Sequence, residues 1–77
     1  MEAIKELDTV VLLQEWPEYG LAKGDVGAVV HCYGDGAGLE VEFVTGEGET
    51  VAVLTLERGA VRMMKKGEIL HARELAA

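Results

Sequence analysis

Leu39-Glu40-Val41-Glu42-Phe43 is the stretch that decides the fold class. Apolar and acidic residues alternate without a break, so Leu39, Val41 and Phe43 share one face of an extended chain and Glu40 and Glu42 the other. A period of two describes a strand with one buried and one wet face, as in an antiparallel sheet. On one side of it, Gly34-Asp35-Gly36-Ala37-Gly38 supplies residues that tolerate positive φ and reads as a hairpin turn. On the other, Gly46-Glu47-Gly48 makes a second hairpin.

Outward from this centre the strand signals continue. Val26 to Tyr33 precedes the first hairpin, and Thr50 to Leu56 follows the second as a nearly continuous apolar run, expected to be covered on much of both sides. Gly27 inside the first of these marks a bulge or a close backbone approach. Thr9-Val10-Val11-Leu12-Leu13 is a further strand, and Ala60 to Met63 a short last one that would close a barrel. Pro17 forces Trp16 toward extended geometry and Gly20 frees the chain to turn, so residues 14–24 read as a loop. Five short strands joined by Gly-rich turns, with no helix between them, indicate a mainly β barrel or sandwich.

After Lys65-Lys66-Gly67 the pattern changes. Glu68-Ile69-Leu70-His71-Ala72-Arg73-Glu74-Leu75-Ala76-Ala77 is rich in helix formers, with Ile69, Ala72 and Ala76 on one stripe and Leu70 and Leu75 flanking it. The expected organisation is a barrel over residues 1–64 and a linker with a short C-terminal amphipathic α-helix over 65–77. Ten residues form no stable helix alone, so this one needs a surface: its own barrel, a second copy or a partner's groove.

The chain has 77 residues, enough for one small domain. Nearly half are hydrophobic, which argues against disorder. Cys32 is the only cysteine, so no intrachain disulfide forms. With no signal-peptide pattern at the start and no apolar run longer than four residues, the expectation is a cytoplasmic protein with no membrane span.

The net charge of −7 disfavours a nucleic-acid partner, because phosphate binding depends on Lys and Arg. That charge is uneven. Residues 1–57 hold twelve acids against Lys5 and Lys23, a net of −10, whereas residues 58–77 hold five bases against Glu68 and Glu74, a net of +3. Two readings of the basic tail stand: it docks on an acidic face, its own or a partner's, or it is solvated.

Ile4-Lys5-Glu6-Leu7-Asp8-Thr9-Val10-Val11-Leu12, Pro17-Glu18-Tyr19-Gly20-Leu21, Lys23-Gly24-Asp25-Val26-Gly27, Val41-Glu42-Phe43 and Leu54-Thr55-Leu56 occur in that order. The ordered set, spanning residues 4–63, resembles a family of small, uncharacterised bacterial proteins known only as a domain of unknown function (4926-like). The resemblance implies an SH3-like barrel and says nothing of an activity. It brings no catalytic residue to this chain, and the tail after Met64 departs from the family's pattern. Gly24-Asp25-Val26-Gly27 alone also looks like the turn in ribosomal and transcription-factor barrels that bind RNA, and in the SH3-like part of nitrile hydratase.

No catalytic constellation assembles from these residues. There is no serine, which excludes a serine nucleophile. His31 and Cys32 are neighbours on a strand, so they face opposite ways and do not grip one metal together. Gly46-Glu47-Gly48-Glu49 is acidic, lacks Lys and leads into a strand, so it would repel phosphate. Glu40, Glu42, Glu47 and Glu49 read as a solvated acidic face, with a weak cation site as the alternative. No cofactor motif is present.

The candidate binding residues are Trp16, Pro17, Glu18 and Tyr19 on the long loop, with Tyr33 alongside, and Ile69, Leu70 and Leu75 on the tail. Aromatics, a proline and acids on that loop suit a Pro-rich, basic peptide. The competing reading has Trp16 and Tyr19 folded back to cap the barrel end. The expected function is a non-catalytic protein-interaction module, an accessory or immunity-type partner of another bacterial protein, with self-association through the tail also open. Nucleic-acid or ribosome binding through the Gly-Asp-Val-Gly turn is the alternative.

Overall fold

A computed structural model describes residues 3–75. Five strands, β1 (Thr9–Leu12), β2 (Val26–Tyr33), β3 (Gly38–Val44), β4 (Thr50–Glu57) and β5 (Val61–Met63), form one antiparallel sheet in the order β4-β3-β2-β1-β5. Single 3₁₀ turns lie at Pro17–Tyr19 and Arg58–Ala60. No helix among the described residues is long and apolar enough to cross a membrane.

The alternation in β3 holds as read. Leu39, Val41 and Phe43 are buried, while Glu40 and Glu42 lie on the other face. They join Val10, Leu12, Leu21, Val29, Leu54, Leu56, Ala60 and Val61 in one cluster, with Ile4 beside them. Both sheet edges thus feed the same core: Leu54 and Leu56 from β4, Val61 from β5.

Two irregularities tune the inward face. β2 shifts register between Val29 and His31, leaving Val30 as an extra residue. The bulge changes the phase of the alternation, so Val29 and Cys32, three apart, both meet the core, against Val41 and Leu39. The bulge expected at Gly27 therefore lies three residues further on, at Val30. Gly27 itself answers to the other expectation, a close approach: a Cβ there would sit 2.6 Å from Val41 Cγ1 and 2.9 Å from Phe43 Cε1.

β4 was expected to be covered on both sides and is not. Leu54 and Leu56 are buried, whereas Val53 is 49% exposed. Its continuous apolar appearance comes from the second register shift, opposite Phe43/Val44, where Val51 and Ala52 both pack partly against the core.

Two larger expectations need correction. The sheet does not close into a barrel: β4 pairs only with β3 and β5 only with β1. The Arg58–Ala60 turn carries the chain between the two edges with Ala60 buried, so the edges share the core through side chains and not through backbone hydrogen bonds.

The C-terminal helix is also not seen; residues 68–75 have no regular secondary structure, and Ala76 lies outside the described residues. Ile69 is 92% and Leu70 69% exposed, so the apolar stripe finds no surface, and a segment this short has no other source of helical stability. Glu68, expected in a first helical turn, instead closes a turn back onto the Lys65 amide and the Arg62 guanidinium.

Candidate functional site

The β1–β2 connection is built by its own hydrogen bonds. Trp16 and Leu21 form an isolated bridge, with Trp16 N–H donating to Leu21 O at 2.8 Å and Leu21 N–H to Trp16 O at 3.1 Å. Pro17 starts the 3₁₀ turn between them, its fixed φ suiting a first helical position. Gly20 ends that turn at φ 72°, a conformation glycine adopts freely. Further on, Ala22 N–H donates to Asp25 Oδ2 and Lys23 N–H to Glu15 Oε2, both at 2.8 Å. Gly24 N–H to Leu12 O and Leu12 N–H to Asp25 O, both 2.8 Å, tie the loop to β1.

Trp16 is half-buried and packs against the core, whereas the capping reading had Trp16 and Tyr19 both folded back over a barrel end. Its Nε1 is buried with no hydrogen-bond partner among the described residues, a costly state for an indole donor. The same ring walls an open groove of about 340 Å³, with Gln14, Thr55, Leu56, Glu57 and Ala60 as the other lining residues. Pro17, Glu18 and Tyr19 are exposed, Tyr19 to 46%. The loop therefore does both things: its tryptophan caps the core while its tyrosine faces solvent.

Tyr33 lies elsewhere in its contacts. It stacks edge-on against His31, with ring centroids 4.5 Å apart, and donates to Glu40 Oε1 at 3.2 Å. Burial, the Glu40 charge and that hydrogen bond push the Tyr33 hydroxyl above its ordinary pKa. His31 Nδ1 also lies 3.5 Å from Glu6 Oε2. Ile69, Leu70 and Leu75 are exposed on the irregular tail and meet neither Tyr33 nor the loop as a helix face.

Of the acids expected on the outer face of the β3–β4 hairpin, Glu42 accepts from Thr50 Oγ1 at 2.7 Å and Glu40 from the Tyr33 and Thr55 hydroxyls at 3.2 and 3.5 Å. Among the described residues no cluster of His, Cys, Asp and Glu has the geometry to hold a metal ion. Cys32 is partly buried with its thiol 3.5 Å from the Ile4 carbonyl, the setting of a small core residue.

The tail docks on the protein's own acidic face, the first of the two readings of its charge. Arg73 Nε donates to Asp25 Oδ1 at 2.9 Å, and its Nη2 to Asp25 Oδ2 at 2.5 Å and to Gly20 O at 2.9 Å. Burial pushes the Asp25 carboxyl up, but the Arg73 hydrogen bond and charge and the Ala22 amide more than offset this and hold it below its ordinary pKa. Nearer the hinge, Arg62 grips Glu68 with two hydrogen bonds of 2.8 and 2.7 Å. With the Lys65 amide as second donor, the Arg62 fork brings the Glu68 carboxyl down to about 2.

Reading the sequence placed Asp25 near this loop but missed Gly20, Arg73 and the groove's far wall of Thr55, Leu56, Glu57 and Ala60. The opposite charges of body and tail were the one signal that pointed to Arg73. The groove wall had none, because it depends on how β4 and the Arg58–Ala60 turn pass the loop.

An open antiparallel sheet with a basic tail strapped to an acidic loop defines a small non-helical domain. Residues 6–63 match the family described as Domain of unknown function (DUF4926), and the chain belongs to that family. No curated protein and no solved structure matches it.

Proposed function

We propose that this domain is a non-catalytic protein-interaction module that receives a segment of a partner protein on the face formed by its β1–β2 loop. The observation that carries the reading is the groove walled by Trp16, Leu56 and Ala60, rimmed by Glu57 and standing on the loop that exposes Tyr19. Aromatic and apolar walls supply contact area and acids at the rim select basic partners. The strand order β4-β3-β2-β1-β5, with β1 between β2 and β5, supports an SH3-like fold for the domain. The family resemblance supports a bacterial origin and the single cysteine a cytoplasmic setting, while the acidic charge, the lack of a catalytic motif in the sequence and the exposed aromatic loop support an accessory or immunity-type role.

The alternative, nucleic-acid or ribosome binding through Gly24-Asp25-Val26-Gly27, has less behind it. Asp25 puts a carboxylate on that turn, and Arg62 and Arg73 are already paired with Glu68 and Asp25. Retention on heparin at moderate salt would speak for it.

Native mass spectrometry on the tagged protein drawn from lysate of its own host tests the main reading. The expected result is a defined second species with the native chain that is lost with Tyr19→Ala and Trp16→Ala, both checked for an intact fold. A second species indifferent to both substitutions would overturn it.

A further inference from the structure

The Arg73 site is organised by the loop and not by the tail that fills it. Asp25 Oδ2 accepts the Ala22 amide, and Asp25 N–H donates to Ala22 O at 3.0 Å, which fixes the carboxylate without any help from residue 73. Gly20 is held by the bond from its own N–H to Pro17 O at 3.1 Å, with its carbonyl left for an outside donor. Two carboxylate oxygens and one carbonyl thus stand ready for the planar fork of an arginine, which matches such an arrangement better than the single point charge of a lysine. The charge of Glu15 adds to the attraction for a cation here.

The tail, by contrast, is held lightly. Residues 65–75 are all exposed, and Ile69 and Leu70 bury almost nothing. Its side-chain anchors are two solvent-facing ion pairs, Arg62–Glu68 and Arg73–Asp25, of a kind that contributes little net stability. Gly67, at φ 88°, gives the segment a turn between the two.

We propose that Asp25 and the Gly20 carbonyl form a guanidinium-binding site that Arg73 fills from within the chain, and that an arginine-bearing segment of a partner protein occupies the same site by displacing the tail. The proposal rests on reading the β1–β2 loop as a partner-binding face, and it names the chemistry of that partner. An acidic body with a net charge of −10 over residues 1–57 favours a basic segment over an acidic one. The tail then acts as a built-in competitor: tethered nearby, Arg73 is present at high local concentration, and an incoming arginine must outcompete it.

The test uses the full-length protein, native and Arg73→Ala, titrated with a synthetic peptide of the sequence of residues 64–77 and with versions of it carrying Arg73→Lys or Arg73→Ala. Binding is followed calorimetrically and by the amide resonances of Gly20, Ala22 and Asp25. The Arg73→Ala chain should bind the arginine peptide on the order of tenfold tighter than the native chain. The lysine peptide should bind it more weakly and the alanine peptide not at all, and adding Asp25→Asn to the chain should abolish binding. Asp25→Asn keeps an oxygen for the Ala22 amide, and the dispersion of the sheet amides confirms that the fold is intact.

Equal binding by the native and Arg73→Ala chains, or binding indifferent to Asp25→Asn, would overturn the proposal. So would a concentration-dependent dimer of the native chain that Arg73→Ala dissolves, since the site would then serve a second copy. Partner capture that depends on Tyr19 but not on Asp25 would leave the interaction-module reading standing without this site. Asp25-dependent arginine binding with no Tyr19-dependent capture would do the reverse.

Discussion

Arg73 and Asp25 lie 48 positions apart in the chain and meet through two hydrogen bonds of 2.9 and 2.5 Å, joining the C-terminal segment to the turn that launches β2. This contact decides the path of the tail after Gly67. No apolar surface competes for it, since Ile69 and Leu70 point into solvent.

Removing the Arg73 guanidinium should therefore free the tail and leave the sheet alone. With Arg73→Ala, trypsin should cut after Lys65 and Lys66 several times faster than in the native chain, while the melting temperature hardly moves, because Arg73 sits on an exposed segment and the Asp25–Ala22 turn is kept. A large fall in melting temperature would mean that the tail is part of the core's stability. Unchanged cleavage would mean that something other than Arg73 holds it.

Acid should release the same segment. Glu68 titrates at about 2 instead of its ordinary 4.5, and Asp25 also lies below its ordinary 3.8. Both carboxyls bind protons less readily in the folded chain than in the unfolded one. The stabilisation that they supply is thus complete above about pH 4.5 and is lost as the pH falls toward 2. The side-chain carboxyl carbon of Glu68, followed by NMR, should titrate well below pH 4.5 in the native chain and close to it in Arg62→Ala. A native midpoint near the ordinary value would contradict the bidentate pair.

Gly27 should tolerate no side chain. A Cβ would come within 3.0 Å of the Glu42 carbonyl as well as the two closer side-chain atoms, and a backbone oxygen in a paired strand has little room to give. Gly27→Ala should cost about 1–3 kcal/mol in urea denaturation, as overpacking does. Combined with Val41→Ala it should cost less than the sum of the two single changes, because the nearest clash is with Val41 Cγ1. Strict additivity would show that the strain is elsewhere.

Leu7 carries backbone strain with no side-chain gain. It is the one described residue other than glycine with positive φ, at 75°, and it is 85% exposed. Its N–H bonds to Val29 O at 2.8 Å beside the β2 bulge, which holds the turn in place. Asparagine visits this left-handed region more readily than leucine, so Leu7→Asn should raise stability by about 0.5–1 kcal/mol in the same denaturation assay. A loss would show that the Leu7 side chain contributes more to the folded chain than its left-handed backbone costs.

Most of the sheet was legible in the residues, for local reasons. The alternation of Leu39 to Phe43, the glycine turns beside it and the β-branched runs of β1, β2 and β4 each state a strand within a few neighbours, and all five strands fall within a residue of their expected limits. The candidate site was legible only in part. Trp16 and Tyr19 share one loop with opposite fates, one packed on the core and one in solvent. Their neighbours in sequence do not separate them, because the difference depends on which core residues lie beneath the loop. Ile69, Ala72 and Ala76 are spaced as a helix face with Leu70 and Leu75 flanking it, but spacing describes what a segment could bury and does not say that a surface is there to receive it.

By itself, then, the sequence determined that this is one small mainly β domain with an acidic body and a basic tail, because periodicity, turn chemistry and charge act between near neighbours. Only the tertiary structure decided that the sheet stays open, that the Val30 bulge turns Cys32 inward, that β4 and the Arg58–Ala60 turn wall a groove with Trp16, and that Arg73 lies on Asp25. Each of these joins residues distant in the chain. Such contacts form only after the local elements have chosen how to pack, so no short stretch of residues records them.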